Sequence, residues 1–231
     1  MSQEWEEVMA NANSWSYSSL SLFKQCPRKY YHLRVAKDIK EPRSRALIYG
    51  NRVHKAAEEY VKNNVEIPKP FEYIKKSVDA ILESFKGEVL CEEKLGVTKD
   101  LEPCSFYAKD VWYRGIVDLL IIQKDKAVII DYKTGKHPDR ADTDQLELMS
   151  LAVFKHYPFV TEVKAGLLFL VKKALIKAKY SSDEQDDLWV KWRDEIDILN
   201  TCYVNDVWNA RENFTCRGWC PVTSCEYNER I

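Results

Sequence analysis

The sequence predicts an α/β chain, with a mixed central sheet flanked by helices and a helical lobe ahead of it. Three observations predict this class. Ala127-Val128-Ile129-Ile130 is a short β-branched run ending on Asp131-Tyr132-Lys133, which reads as a buried central strand and is too short for a helix. Trp112 to Ile122 is a second apolar run, and Gln123-Lys124-Asp125-Lys126 joins the two as a link of hairpin length. The surrounding pattern runs strand, strand, strand, helix, strand, with helices before and after, which is the order of an α/β core.

In chain order, residues 1–15 form a polar tail. Residues 16–35 read as a helix with Ser16 or Ser18 as cap. Lys37 to Ser44 is a charged connector containing Pro42. Helices follow at about 46–63 and 70–86, on either side of Val65-Glu66-Ile67-Pro68. Strands fall near 89–98, 105–122 and 127–133, then a helix at 142–156, a strand at 164–172 and a long helix at about 183–211. The expected organisation is one domain over 16–231: a helical lobe (16–86), a core (87–180), and a C-terminal helix with a cysteine-bearing segment (181–231).

A chain of 231 residues can bury one good core. No apolar stretch approaches the ~20 residues of a membrane span, and Met1 to Asn13 is acidic and polar, unlike a signal or transit peptide. The expectation is a cytoplasmic protein without a membrane partner. The net charge of −1 does not advertise nucleic-acid binding, but a nucleic-acid-binding protein needs only a local basic channel, not a basic total. Candidate basic patches are Lys24/Arg28/Lys29/Arg34, Arg43/Arg45/Arg52 and Lys172/Lys173/Lys177/Lys179, each of which also reads as a solvated face.

Chemistry concentrates on the two apolar runs. A carboxylate and an ammonium at the end of a buried strand are costly without partners or a metal. Side chains alternate along a strand, so Asp131 and Lys133 point to the same face, roughly 6–7 Å apart. The hairpin brings Asp118, set among Ile116, Val117, Leu119 and Leu120, close to Asp131. Two carboxylates and a lysine on an apolar sheet suit Mg²⁺ or Mn²⁺. The plainer reading is a pair of solvated strand-end aspartates with Lys133 as a surface cation.

The order Gly115-Ile116-Val117-Asp118, then Ile129-Ile130-Asp131-Tyr132-Lys133-Thr134-Gly135, resembles the PD-(D/E)xK nuclease superfamily and its RecB-like branch. That branch includes phage exonucleases and the CRISPR-associated adaptation nucleases. Gly50-Asn51-Arg52-Val53-His54 is similar to the branch's G-x-x-x-H, whose histidine is a metal ligand. Ser18-Ser19-Leu20 with Phe23 to Tyr31 resembles its N-terminal helical signature. Cys91-Glu92-Glu93-Lys94 resembles its first acidic motif, with Glu92 preferred and Glu93 the alternative, because neighbouring side chains take opposite faces. Asp144-Gln145 resembles its glutamine motif, which positions the nucleophile, the lysine or the DNA backbone. The tyrosine usual four positions later is replaced by Met149.

The resemblance implies a restriction-endonuclease-like fold and metal-assisted phosphodiester hydrolysis. It implies a metal shell from Asp118, Asp131, His54 and Glu92. Lys133 and Gln145 complete the catalytic set, and Arg28, Lys29 and Arg52 are DNA contacts. The substrate would be DNA ends, single- or double-stranded, in recombination, repair or replication. A separate helicase or single-strand annealing protein is the expected partner. A non-catalytic DNA-binding or assembly subunit on the same fold is the other class of reading, and a CRISPR-adaptation nuclease a third.

Seven cysteines without an export signal argue against disulfides. Cys216, Cys220 and Cys225 fall within ten residues, and Cys26 lies in the N-terminal signature. This resembles the iron–sulfur subset of the branch, in which one N-terminal and three C-terminal cysteines hold a [4Fe–4S] cluster. The spacing C-x3-C-x4-C departs from that subset's more frequent C-x2-C-x5-C over the same span. Zinc, or four buried thiols, are the alternatives. Trp189, Trp192, Trp208 and Trp219, with Tyr203 and Phe214, read as packing residues in preference to base-stacking ones.

Overall fold

The computed structural model describes residues 14–41 and 44–229. Met1 to Asn13 of the polar tail, with Pro42 and Arg43 of the connector, lie outside the described residues.

The two apolar runs become neighbouring strands near the middle of a six-stranded sheet. Its strands are β1 (Glu88–Thr98), β2 (Pro103–Cys104), β3 (Val111–Gln123), β4 (Lys126–Lys133), β5 (Glu162–Phe169) and β6 (Ala174–Ser181). They lie in the order β2-β1-β3-β4-β5-β6. β3 and β4 pair antiparallel through a tight turn in which Lys124 takes the left-handed φ of 50° that short hairpins demand. β4 and β5 are parallel, so the chain must cross over between them, and α5 (below) supplies the crossover. This is the mixed sheet flanked by helices that the sequence predicts.

Helix α3 (Arg45–Asn63), the 3-10 turn Lys69–Ile74 and α4 (Lys75–Ser84) bury an apolar stripe against the sheet. Val53, Ala57, Ile74, Val78 and Ile81 pack there with Leu119, Ile121, Val128 and Ile130. Each fully buried branched side chain contributes about 1.5–3 kcal/mol. The crossover helix α5 (Asp144–His156) is buried almost all round, from Leu146 through Leu148 to Phe154.

The chain divides into two compact units. One is the sheet and these helices, Arg45–Trp189; the other joins Trp15–Ser44 to Val190–Ile231. The stretch 16–86 is therefore shared between them, because its later helices bury their faces on the sheet. In the second unit, Ser16 caps α1 (Tyr17–Gln25) in a reciprocal capping box with Ser19. Cys26 is extended ahead of Pro27, which ends α1 and starts α2 (Pro27–Tyr30), so 16–35 is not one helix. A π-helical turn, Tyr31–Val35, follows.

Three further differences from the sequence reading have local causes. Residues 105–110 form a loop between β2 and β3 instead of extending the strand. β6, with its alternating lysines, is a sheet strand where the sequence shows only a basic patch. Helix α6 (Gln185–Asn205) stops where Asp206 turns left-handed, at φ 49°. Trp189 and Trp192 are fully buried, Trp208 stacks on Tyr30, and Phe214 and Trp219 are exposed. Among the described residues, no helix is long and apolar enough to cross a membrane.

Candidate metal and catalytic site

Three side chains from three separate elements meet beside the hairpin. His54 comes from α3, Glu92 from β1 and Asp118 from β3, and one potential ligand atom from each lies within 4.8 Å of the others. His54 Nδ1 is 3.2 Å from Asp118 Oδ1, and the backbone N–H of Tyr132 donates to Asp118 Oδ2 at 2.6 Å. Asp118 is thus held from both sides, by the helix and by the next strand.

Local sequence explains the convergence. Gly50 lies one turn before His54, and a Cβ on it would stand 3.3 Å from Thr134 Oγ1. The missing side chain lets α3 approach the turn that follows Lys133, which carries His54 to Asp118. Glu92 sits inside β1 with a left-handed φ of 53°. Cys91 pairs with Leu119 and Glu93 with Val117, so the register is kept on either side of it. A non-glycine residue in that region costs about 1–3 kcal/mol and persists only where its surroundings enforce it.

A second cluster joins the first at the end of β4. Gln145, in the first turn of α5, donates from Nε2 to Asp131 Oδ1 at 2.8 Å. Lys133 Nζ donates to Gln145 Oε1 at 2.7 Å, and lies 2.7 Å from Asp131 Oδ2. That last contact is an ion pair without hydrogen-bond alignment, because Oδ2 is buried with no aligned partner. Asp131, Lys133 and Gln145 thus form a closed triangle in which the glutamine fixes both charged groups. Asp131 lies outside the His54/Glu92/Asp118 group, with its carboxylate turned to Lys133 and Gln145.

The titratable groups respond to this crowding. Burial lowers the His54 pKa, but the Asp118 hydrogen bond and the charges of Asp118, Asp131 and Glu92 outweigh it and raise the value overall. Burial lifts Glu92, and the charge of Asp118 adds to the rise. Burial pushes Asp131 up to about 6, reinforced by Asp118 and opposed by Lys133. Three groups that disfavour additional negative charge, around a two-carboxylate, one-imidazole donor set, fit a hard divalent cation such as Mg²⁺ or Mn²⁺. His54, Glu92 and Asp118 would hold it.

Tyr132 belongs to this site and is not marked in the sequence reading. Its ring stands edge-on to His54 at 5.9 Å, and its hydroxyl is buried without a hydrogen-bond partner. The signal for it was strand phase, which turns Tyr132 away from Asp131 and Lys133 and toward α3. Glu93 takes no part in the ligand group. Of the DNA-contact candidates, Arg28 is ion-paired with Glu226, Lys29 is buried with Nζ on Gln25, and the Arg52 guanidinium lies over the Phe71 ring at 5.4 Å.

In the second unit, Cys26, Cys216, Cys220 and Cys225 line one small cavity. Cys26, Cys216 and Cys220 are buried, and Cys26 Sγ accepts a hydrogen bond from the Arg211 backbone at 3.4 Å. Among the described residues, no three of these sulfurs lie within 4.8 Å of one another.

Residues 14–228 match the family model of the PD-(D/E)XK nuclease superfamily, and the chain belongs to that superfamily. No curated protein matches it in sequence. Among solved structures, it is similar to the crystal structure of SSO0001, at 14% identity over 98% of this chain and 94% of that one, with a TM-score of 0.47. It is also similar to a protein from Eubacterium rectale named "Putative exonuclease", at 12% identity over 95% of this chain and 92% of that one, with a TM-score of 0.51. At such identities the likeness speaks of the fold alone.

Proposed function

We propose that this PD-(D/E)XK nuclease is a metal-dependent exonuclease that hydrolyses phosphodiester bonds at DNA ends. The observation that carries the reading is the pairing of a three-donor cation site, His54/Glu92/Asp118, with a lysine held by Asp131 and Gln145. A bound Mg²⁺ or Mn²⁺ supplies Lewis-acid polarisation of a phosphate oxygen and makes water more acidic. Lys133 orients the attacking water and offsets the negative charge that builds on the phosphorus oxygens. Water gives up a proton to solvent as its oxygen bonds to phosphorus, the bond to the leaving nucleotide oxygen breaks, and that oxygen takes up a proton. Gln145 keeps Lys133 and Asp131 aimed, and Tyr132 and Gly50 set the position of His54. Arg52, on the helix that carries His54, is a backbone contact in this reading, and Arg28 and Lys29 are proposed as DNA contacts of the second unit.

The end-directed activity rests on the resemblance to phage-type exonucleases, and the name of the Eubacterium rectale protein points the same way. The reading extends to a cytoplasmic role in recombination, repair or replication beside a helicase or an annealing protein. For the cysteines we propose a [4Fe–4S] cluster held by Cys26, Cys216, Cys220 and Cys225. What supports the reading is that the four thiols line one cavity of the second unit, the number such a cluster needs.

The test is cleavage of end-labelled linear DNA beside a closed circle, in Mg²⁺ and in Mn²⁺, with Lys133→Ala as control. Shortening from an end that the variant lacks is the expected result. Cutting of the circle would make the enzyme an endonuclease, and tight binding without cleavage would leave an assembly subunit.

A further inference from the structure

One exposed cluster beside the cation site has no part in that scheme. After Glu92, β1 and β3 present a bare face. Lys94 and Ile116 are paired in register and exposed, and Arg114, opposite Gly96, is half-buried. The other face of the same strands holds Leu95, Val97, Tyr113 and Val117, all buried. The loop 105–110 folds over the bare face and brings two aromatic rings to it. Lys94 Nζ lies 5.2 Å from the Tyr107 ring centroid and 6.0 Å from that of Phe106, and the Arg114 guanidinium lies 5.6 Å from Phe106. The two rings meet edge to face at 5.1 Å, and Lys94 Nζ donates to the Tyr107 hydroxyl at 2.8 Å. Tyr107 is nevertheless 70% exposed.

We propose that Lys94, Phe106, Tyr107 and Arg114 form a platform for an unpaired nucleic-acid strand leading to the cation site. This deepens the nuclease reading and rests on it. Three features argue for it. Lys94 is two residues from Glu92 on the same strand, and Ile116 and Arg114 continue the row that begins at Asp118, so the platform starts where the candidate ligands end. Two cations interleaved with two rings match the two needs of a single strand, charge for the phosphates and an aromatic face for the bases. Finally, bases inside a duplex are covered on both faces by their neighbours, whereas each base of an unpaired strand can turn a face to Tyr107, so the platform favours unpaired strands over blunt duplex. A face meant only to brace the loop would bury its largest ring, and this one leaves it in solvent.

The experiment compares wild type with Tyr107→Ala, Tyr107→Leu, Tyr107→Trp and the double variant Lys94→Ala/Arg114→Ala. One arm measures kcat and KM on single-stranded DNA and on blunt duplex with Mn²⁺. The other follows the fluorescence of a single-stranded oligonucleotide carrying 2-aminopurine, in EDTA. Removing a stacked ring weakens binding about 5- to 100-fold. Tyr107→Ala and Tyr107→Leu should therefore raise KM on single strands by that factor, with kcat held within about twofold and duplex KM unmoved. Tyr107→Trp should restore both KM and the fluorescence quenching, and the double variant should weaken single-strand binding with a reduced salt dependence. Unchanged single-strand KM and quenching in Tyr107→Ala would overturn the platform, as would a leucine that serves as well as an aromatic ring. A Tyr107→Ala variant that alters only the oligomeric state would make the face a protein contact and overturn it too. If wild type cleaves nothing, the nuclease reading fails, while the fluorescence arm still decides the platform.

Discussion

The oxygen-lined site on the sheet and the sulfur-lined cavity of the second unit are assembled in opposite ways. On the sheet, donors from α3, β1 and β3 converge within 4.8 Å, with one of them, Glu92, in a left-handed conformation. In the second unit, three of the four thiols come from one ten-residue stretch and the fourth from the break between α1 and α2, and they surround a cavity without converging. Two carboxylates and an imidazole suit a single small divalent cation, and four thiols suit a soft metal centre. In the proposed reading, the first site performs the chemistry and the second holds a cluster.

The strongest way to break that separation is to exchange the effects of two substitutions. Asp118→Asn should lower cleavage by at least about 10³-fold while iron content stays as in wild type. Cys220→Ser should do the reverse to the proposed cluster, losing iron and visible colour and lowering Tm by several degrees, because binding such a cluster would be linked to folding of that unit. Cleavage per folded molecule and iron per chain are the two readouts. If Asp118→Asn also lost iron, or Cys220→Ser stayed coloured, the two sites would not be distinct.

Much of this contrast was legible in the sequence, for physical reasons. A buried β-branched run ending in Asp-Tyr-Lys can hardly be anything but a strand carrying its charges to an edge, and the hairpin link forced Asp118 near it. Spacing alone put Gly50 and His54 one helical turn apart. Other features were beyond reach. Residues with positive φ are mostly glycine or asparagine, so nothing marks Glu92 as left-handed. β6 reads Ala-Leu-Ile-Lys-Ala-Lys-Tyr-Ser, and its lysines hide a strand that exists because β5 offers it a partner. The hold of Gln145 on both Asp131 and Lys133, and the seating of Lys94 on rings from a loop, depend on tertiary contact that no local pattern records.

A smaller effect sharpens the role of the triangle. Gln145→Ala should reduce kcat by about 10- to 100-fold, as for other groups that orient a ligand or catalytic side chain, with a lesser change in Mn²⁺ affinity. Steady-state kinetics over a Mn²⁺ series separates the two. Equal losses in both would place Gln145 at the cation instead.

The pH dependence has a definite sign. His54, Glu92 and Asp131 all have raised pKa values in the metal-free fold, Asp131 to about 6. A raised value means that the fold favours the protonated form. The stability these groups contribute is therefore full below their unfolded values and is lost as pH rises through the folded ones. Cation binding requires the deprotonated imidazole and carboxylates, so its slope is opposite. The rise in Tm on adding Mn²⁺ should be small near pH ~5 and grow toward pH ~7.5, at roughly 2–4 °C per kcal/mol for a chain of this size. Thermal unfolding with and without Mn²⁺ across that range tests it.

The smallest expected effect is at Gly50. Gly50→Ala gains about 0.5–1 kcal/mol of helix propensity and gives part of it back against Thr134 Oγ1. Tm should barely move while kcat falls severalfold, and Thr134→Ala in the same chain should restore the rate.

The central claim is that His54, Glu92 and Asp118 form one cation site, and an EPR-monitored Mn²⁺ titration of wild type, His54→Ala, Glu92→Gln and Asp118→Asn tests it most directly. The account predicts saturable binding in wild type and a loss of at least about tenfold in affinity in each variant, all of them folded by circular dichroism. Equal Mn²⁺ affinity in wild type and all three variants would contradict it.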